Sequence, residues 1–169
     1  MKALYIHGLH SNPNPKKIKI LKEAGLEVTA PFIDYEKEQG AVYARIKAIA
    51  KQEKVDVLIG SSMGGFIGYW LAYDLNKPAL LYNPALYFDS MKSYIPDIKN
   101  IEIPYLFVCL GEQDQRVDPQ MVKAYLMEKN PHQEHLKIVT SSWLEHGIDL
   151  TTFASMTAWF LKEIECQGK

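Results

Sequence analysis

Hydrophobic and polar positions form two kinds of pattern along this chain. Short continuous apolar runs, typical of strands buried on both faces of a sheet, occupy 3–6, 26–30, 55–59, 79–82, 103–110 and 136–139. Longer segments with apolar residues at helical spacing occupy 13–24, 39–54, 63–75, 119–129 and 150–163. Strands and helices that alternate in this way predict an α/β fold, a three-layer α/β/α sandwich around a mostly parallel sheet.

The strand ends of such a sheet indicate where function is expected. Ligands of open parallel sheets bind beyond the carboxyl ends of the strands. Four of the predicted strands end at a glycine or just before polar residues that could carry chemistry. These four segments are therefore the candidates for a functional site.

The strongest of the four is GSSMGG at 60–65, which fits the pattern G-x-S-x-G with Ser62 at its centre. A serine on a sharp strand-to-helix turn exposes its hydroxyl, and the following helix N-terminus offers N–H groups to developing negative charge. Ser62 is therefore the candidate nucleophile. Ser61 is the rival, but it occupies the variable position of the pattern. A chance match at an ordinary turn is the alternative, which the strand–turn–helix context disfavours.

A candidate acid follows the strand predicted at 103–110. Asp114 could accept a hydrogen bond from an imidazole and so fix its tautomer. The alternative is that Asp114 merely turns the chain, and Asp118, directly before a proline, is expected to cap the next helix. Arg116 is expected to be solvated or ion-paired, although contact with an anionic substrate is a second interpretation.

The candidate base is His146, in the loop after the last predicted strand. Imidazole is the side chain whose ordinary pKa lies near neutral pH, as general base catalysis requires. His132 and His135 precede that strand, at the opposite edge of the sheet, and are expected at the surface. The chain order of nucleophile, acid and base is the one that brings such a triad together on this kind of sheet.

The fourth segment is His7-Gly8-Leu9-His10, after the first predicted strand. Acyl transfer needs N–H donors aimed at the oxyanion, and the backbone N–H groups of Leu9 and Met63 are the candidates. Gly8 would let this loop approach the nucleophile, and His7 is expected to hold the loop through hydrogen bonds. His10 either borders the substrate pocket or is solvated. We expect no metal here, because no carboxylate cluster accompanies the histidines.

With these segments in order, the chain resembles the α/β-hydrolase superfamily and, more narrowly, the small bacterial YqiA-type esterases. The matching stretches are YIHGL at 5–9, GSSMGG at 60–65, YNPA at 82–85, GEQD at 111–114, and His146. The resemblance implies a serine esterase or thioesterase that acts on short acyl groups without a cofactor. It carries the roles of nucleophile, acid and base to Ser62, Asp114 and His146.

The resemblance also implies a minimal version of the fold that lacks a large lid, because only about 20 residues separate Tyr82 from Ile103. Apolar and aromatic residues in 83–91 could flank an acyl group, which makes Leu86 and Tyr87 pocket candidates beside His10. The alternative is a core plug or a subunit contact. Leu144 is a further pocket candidate. It stands with Glu145 where related proteins often carry a glycine pair, as Leu9 stands where they often carry phenylalanine.

Composition and charge narrow the class of protein. The 169 residues are expected to form one domain over 1–169, and a net charge of −1 with 47% hydrophobic residues gives no reason to expect nucleic acid or a membrane as partner. Cys109 is expected in the core, and two cysteines predict no disulfide framework. We expect a cytoplasmic enzyme with a small acyl ester or thioester substrate; the oligomeric state stays open. The alternatives are a non-catalytic binding protein on this scaffold, or a triad hydrolase of peptide or carrier-thioester bonds.

Overall fold

The structure is a computed structural model that describes residues 1–88, 95, 104–130 and 133–167. Six apolar runs form strands: β1 (Lys2–Ile6), β2 (Glu27–Thr29), β3 (Val57–Ser61), β4 (Ala79–Tyr82), β5 (Leu106–Gly111) and β6 (Leu136–Ser141). The segments with helical spacing form α1 (Pro15–Glu23), α3 (Ala41–Gln52), α4 (Met63–Leu75), α5 (Pro119–Lys129) and α6 (Leu150–Gln167), and a short helix, α2 (Tyr35–Glu38), precedes α3. Across these described ranges, no helix combines the length and the apolar character needed to cross a membrane.

The strands form one sheet in the order β2-β1-β3-β4-β5-β6, and every neighbouring pair among them is parallel. The register pairs Ser61 with Tyr82, Tyr82 with Cys109, and Gly111 with Ser141. The carboxyl ends of β3, β4, β5 and β6 therefore meet along one edge of the sheet.

Two hydrophobic cores cover the two faces of the sheet, because successive strand residues point to opposite faces. In β5, Val108 packs with the core beneath α3, α4 and α5, whereas Phe107 packs with the core beneath α1 and α6. Helix α4 is buried along most of its length, as its continuous apolar sequence predicts. The three-layer α/β/α prediction is confirmed.

The element boundaries differ from the prediction in places with local causes. The helix predicted at 39–54 begins at Ala41, because Gln39 has a φ of 41° and interrupts the helical conformation. Helix α2 spans only one turn, too short to show helical periodicity, and the side chain of Asp34 caps it. Strand β3 lies two residues later than predicted, so that Ser62 directly follows it. Ile103, the predicted start of β5, lies outside the described residues.

Candidate active site

Ser62 stands on the turn between β3 and α4 in a conformation that non-glycine residues rarely adopt. Its φ is 55° and its ψ is −116°; such a backbone costs about 1–3 kcal/mol and persists only where its surroundings enforce it. The Ser62 N–H donates to the carbonyl of Tyr82 (2.9 Å), and the Ser62 carbonyl accepts from Phe66 N (3.0 Å) and Ala85 N (3.2 Å). These bonds hold the turn against the end of β4.

Two glycines allow this turn to form. A Cβ on Gly60 would lie 2.3 Å from the carbonyl oxygen of Gly64, and a Cβ on Gly64 would lie 2.1 Å from the carbonyl oxygen of Ile6. Any side chain at either position would therefore push α4 away from β1 and β3. The close approach of helix and strand explains why the pattern around Ser62 contains glycine at both places.

The Ser62 hydroxyl lies 3.0 Å from Nε2 of His146, and Nδ1 of the same imidazole lies 2.8 Å from Oδ2 of Asp114. An ionised carboxylate can only accept hydrogen bonds, so Nδ1 carries the proton that it donates to Asp114. Nε2 of the neutral ring is then free to accept from the Ser62 hydroxyl. The structure thus brings together the three side chains that the sequence singled out on three separate loops.

Asp114 is held more tightly than a surface aspartate. Its side chain has no exposed surface, and its second oxygen, Oδ1, accepts from the backbone N–H groups of Arg116 (2.8 Å) and Val117 (3.0 Å). A buried carboxylate with three hydrogen-bond donors is a fixed negative partner for an imidazole. The neighbouring Asp118 caps α5 through Gln120 N (2.8 Å), as predicted.

His7 holds the loop that follows β1, which confirms the role expected for it. Its Nε2 accepts from Ile33 N (2.9 Å), its Nδ1 donates to the carbonyl of Gly8 (2.8 Å), and its own carbonyl accepts from the Tyr35 hydroxyl (2.6 Å). Burial lowers the pKa of the His7 imidazole, which favours the neutral ring that this bonding pattern requires. His7 is therefore a support of the loop rather than a proton carrier.

The loop that His7 holds lies against the serine. A Cβ on Gly8 would lie 3.3 Å from Cβ of Ser62 and 3.9 Å from its Oγ, so the next residue, Leu9, is beside the hydroxyl. Among the described residues, neither the N–H of Leu9 nor that of Met63 donates to a protein acceptor. Two backbone donors are thus available next to Ser62.

A cleft of about 280 Å³, called here the serine cleft, opens over these groups. Besides Ser62 and His146 it is lined by residues from four segments: Leu9, His10, Met63, Ala85, Phe88 and Arg116. His10 borders this cleft and is exposed to solvent, so its position is consistent with both interpretations that the sequence left open. Arg116 is exposed, and it forms no ion pair within the ranges that the structure describes. Ala85 and Phe88 lie in the segment 83–91 that was predicted to flank an acyl group, although neither was named as a pocket candidate, and Val117 also lines the cleft.

Three predicted pocket residues do not line the serine cleft. Leu86 is 0% exposed and packs in the core beneath α3, α4 and α5, while Leu144 is 2% exposed and packs in the opposite core. Leu144 anchors the loop before His146, and its carbonyl accepts from Gln113 N (3.0 Å). Tyr87 borders a neighbouring depression, where its hydroxyl oxygen accepts from Asp118 N (2.9 Å). The pocket predictions for Leu86 and Leu144 are wrong, because apolar character alone does not distinguish a core side chain from a cleft side chain, and Tyr87 borders the adjoining depression rather than the serine cleft.

Asn83 is a residue of this site whose role sequence reasoning missed. It follows β4 and is 1% exposed. Its Oδ1 accepts from Gly111 N (2.8 Å), and its Nδ2 donates to the carbonyls of Glu145 (3.0 Å) and His146 (3.1 Å). The amide joins the ends of β4 and β5 to the histidine loop. Its place directly after a buried strand was the signal available in the sequence.

Other nucleophiles and ligands are less well placed. Cys109 is buried in β5, as predicted, and burial raises the pKa of its thiol to about 12, so it stays protonated near neutral pH. His135 is half-buried beside β6, and His132 lies outside the described residues. Within the part of the chain that the structure describes, no three histidine, cysteine or carboxylate side chains gather as potential metal ligands.

A protein-family model matches part of the chain. The model described as "Uncharacterised protein family (UPF0227)" matches residues 2–106, more than half of the chain. The matched range contains Ser62 and ends before Asp114 and His146. A search of the curated proteins finds no match.

Three solved structures illustrate the likeness in fold. A lidless α/β serine hydrolase from Xanthomonas campestris is 19% identical over 96% of this chain and 81% of its own, with a TM-score of 0.68. An esterase from Pyrococcus furiosus is 17% identical over 96% and 82%, with a TM-score of 0.70. An α/β serine hydrolase homologue from Coxiella burnetii is 18% identical over 97% and 85%, with a TM-score of 0.65.

These likenesses establish the architecture. At such low identity they show the fold alone, which is that of the α/β hydrolases. The segment between β4 and β5 is too short for a lid domain, so the predicted minimal α/β-hydrolase fold without a large lid is confirmed.

Proposed function

The chain belongs to the UPF0227 family, and from the geometry of its serine cleft we propose that it is a serine hydrolase that cleaves carboxylic esters or thioesters. The observation that carries the proposal is the hydrogen-bonded series from Ser62 Oγ through His146 to Asp114, at 3.0 and 2.8 Å. Such a series activates a serine hydroxyl that would otherwise be a weak nucleophile.

In the first half of the proposed reaction, Ser62 Oγ attacks the carbonyl carbon of the substrate. Nε2 of His146 takes the hydroxyl proton, and the carboxylate of Asp114 stabilises the imidazolium that forms. The N–H groups of Leu9 and Met63 bind the oxyanion of the tetrahedral intermediate. When the intermediate collapses, the bond to the leaving group breaks and His146 returns its proton to the departing oxygen or sulfur.

In the second half, a water molecule repeats the sequence on the acyl-enzyme. His146 removes a proton from the water, whose oxygen bonds to the acyl carbon, and the same two N–H groups bind the second oxyanion. Collapse of this intermediate breaks the bond to Ser62 Oγ, which regains a proton from His146. The products are the carboxylic acid and the free enzyme.

The printed descriptions of the structural neighbours agree with this class of reaction. One neighbour is described as a serine hydrolase without a lid and another as an esterase. The connection between β4 and β5 is only about 20 residues long, a length that favours a small cap and small or loosely held substrates. Ester and thioester substrates share the same activated acyl carbon, so both belong to the proposal.

The proposal is tested with a fluorophosphonate probe and a panel of p-nitrophenyl esters and acyl-CoA thioesters. We expect the wild type to be labelled and Ser62→Ala to lose both labelling and at least about 10³-fold of the hydrolysis rate, because the attacking oxygen is gone. The matched control is Ser61→Ala, at the last residue of β3 directly before Ser62, which should keep both.

The outcomes separate the competing interpretations. A wild-type protein that is folded but unlabelled would refute the proposal and favour a non-catalytic binding protein. A labelled protein that cleaves neither esters nor thioesters would redirect the assignment to a hydrolase of peptide bonds. Labelling that survives in Ser62→Ala and disappears in Ser61→Ala would make Ser61 the nucleophile.

A further inference from the structure

A second cavity lies beside the serine cleft, between α4 and the two helices α2 and α3. Its volume is about 310 Å³. We call this space the apolar cavity. Its wall is made mostly of buried apolar and aromatic side chains, among them Tyr35, Val42, Tyr43, Phe66 and Ile67. The proposed mechanism makes no use of this space.

The apolar cavity and the serine cleft share two lining residues, Leu9 and Met63. These are the residues whose N–H groups bind the acyl oxygen in the proposed mechanism. The carbonyl carbon that Ser62 attacks therefore lies at the border between the two spaces, and the acyl chain begins there. The Met63 side chain at this border is unbranched and can adapt its shape to a neighbouring chain.

The two spaces differ in polarity, which decides the orientation of a substrate. The serine cleft contains the exposed side chains of His10 and Arg116 together with His146. A leaving group must face His146 Nε2 to receive its proton, so it occupies the serine cleft. The acyl chain then has the apolar cavity on its other side, where burial of methylene groups is favourable.

We propose that the apolar cavity is the acyl-binding subsite, and that the substrates carry unbranched acyl chains of medium length; this rests on the proposed hydrolase function. One methylene group occupies about 30 Å³, close to the volume that one water molecule occupies in liquid water. A cavity of about 310 Å³ therefore holds a chain of up to about ten carbons. Beyond that length the chain passes the exposed rim residues Glu36 and Gln39 into water.

This subsite predicts a defined dependence of rate on chain length. In p-nitrophenyl esters from acetyl to tetradecanoyl, kcat/KM should rise about fourfold for each methylene group that becomes buried. The rise should level off near eight to ten carbons, where the cavity is full. A rate independent of chain length from acetyl to octanoyl would overturn the subsite assignment.

Variants at one wall position test the site from both directions. Val42→Phe adds a ring to the cavity and should lower the ratio of kcat/KM for the octanoyl ester to that for the acetyl ester at least tenfold. Val42→Ala enlarges the cavity without a clash and should move the plateau to longer chains by one or two carbons. The matched control is Ala44→Phe, which adds the same ring on the exposed side of α3 and should leave the profile unchanged.

The readouts distinguish failure of the subsite from failure of the hydrolase proposal. Fluorophosphonate labelling of Ser62 and circular dichroism establish that each variant is folded and active at its serine. A labelled, active Val42→Ala whose chain-length profile matches the wild type would overturn the subsite alone. A wild type that is neither labelled nor active on any ester would overturn the hydrolase proposal and the subsite together.

Discussion

The Asn83 side chain joins three segments of the site, and replacing it tests whether this junction holds His146 against Ser62. The amide makes three hydrogen bonds of 2.8 to 3.1 Å, to Gly111 N and to the carbonyls of Glu145 and His146. Asn83 also has a φ of 42°, a conformation that asparagine tolerates better than most residues. Both properties enter the expected cost of a substitution.

The loss of stability in Asn83→Ala follows from the buried polar groups that lose their hydrogen-bond partner. A buried polar group without a hydrogen bond costs about 1–3 kcal/mol, and alanine at positive φ adds about 1–2 kcal/mol. Because the histidine loop can relax and admit water, we expect the free energy of unfolding to fall by about 3–5 kcal/mol. Asn83→Gly removes the same bonds without the backbone strain and should lose about 1 kcal/mol less.

Asn83→Asp isolates the contacts to the histidine loop. The carboxylate can still accept from Gly111 N, but it presents an oxygen to the carbonyls of Glu145 and His146, where the amide donates. The loop should move away, and a displacement of about 1 Å in a catalytic group costs about 10²-fold in rate. We expect kcat and the rate of fluorophosphonate labelling to fall by this factor, while KM changes little.

The assays are urea unfolding, for stability, and ester turnover with probe labelling, for the position of His146. An equal m value for wild type and variants would indicate that the extent of unfolding is unchanged. If Asn83→Asp unfolds within about 1 kcal/mol of the wild type and keeps its labelling rate within threefold, the two hydrogen bonds to the carbonyls of Glu145 and His146 do not position His146 and the reasoning is refuted.

Three further predictions concern other supports of the site. Asp114→Asn should lower kcat by up to about 10⁴-fold, because the amide favours the wrong imidazole tautomer; a loss of less than tenfold would argue against Asp114 as the acid. Gly111→Ala would place a Cβ 2.3 Å from the carbonyl of Leu144, so we expect the His146 loop to shift and both Tm and turnover to drop, and unchanged values would contradict this packing. Burial lowers the pKa of His7, so near pH 6.5 the unfolded chain binds a proton that the folded protein does not bind, and stability should decline as the pH falls below about 6.5. Urea titrations should show a smaller decline in His7→Gln; an identical decline would mean that another group is responsible.

Much of the fold was predictable because strands buried on both faces have continuous apolar sequences. The helix α4 was predicted with its observed bounds, Met63–Leu75, because apolar and small residues fill it and the G-x-S-x-G pattern marks where it begins. The one-turn helix α2 could not be predicted in this way. Four residues carry too little periodicity, and its start depends on a cap from Asp34 that local sequence suggests only weakly.

The pocket was less predictable than the triad, for a physical reason. A nucleophile, an acid and a base are identified by chemistry that few residue types can perform. A pocket wall needs only apolar surface, which Leu86 and Leu144 also offer to the cores where the structure places them. The apolar cavity was missed because its walls come from α2, α3 and α4, whose packing against one another cannot be deduced from their separate periodicities.

The parallel register explains why residues so far apart along the chain meet at one place. Ser61 pairs with Tyr82 and Tyr82 pairs with Cys109, so the residues that follow β3, β4 and β5 lie side by side at the same height. Topology alone therefore brings Ser62 close to Asn83. Topology does not orient a side chain, however. His146 lies in the loop after β6, where no strand pairing within the described residues fixes the backbone. The Asn83 amide supplies that missing constraint, which is why its loss should affect the position of the base more than the architecture of the sheet.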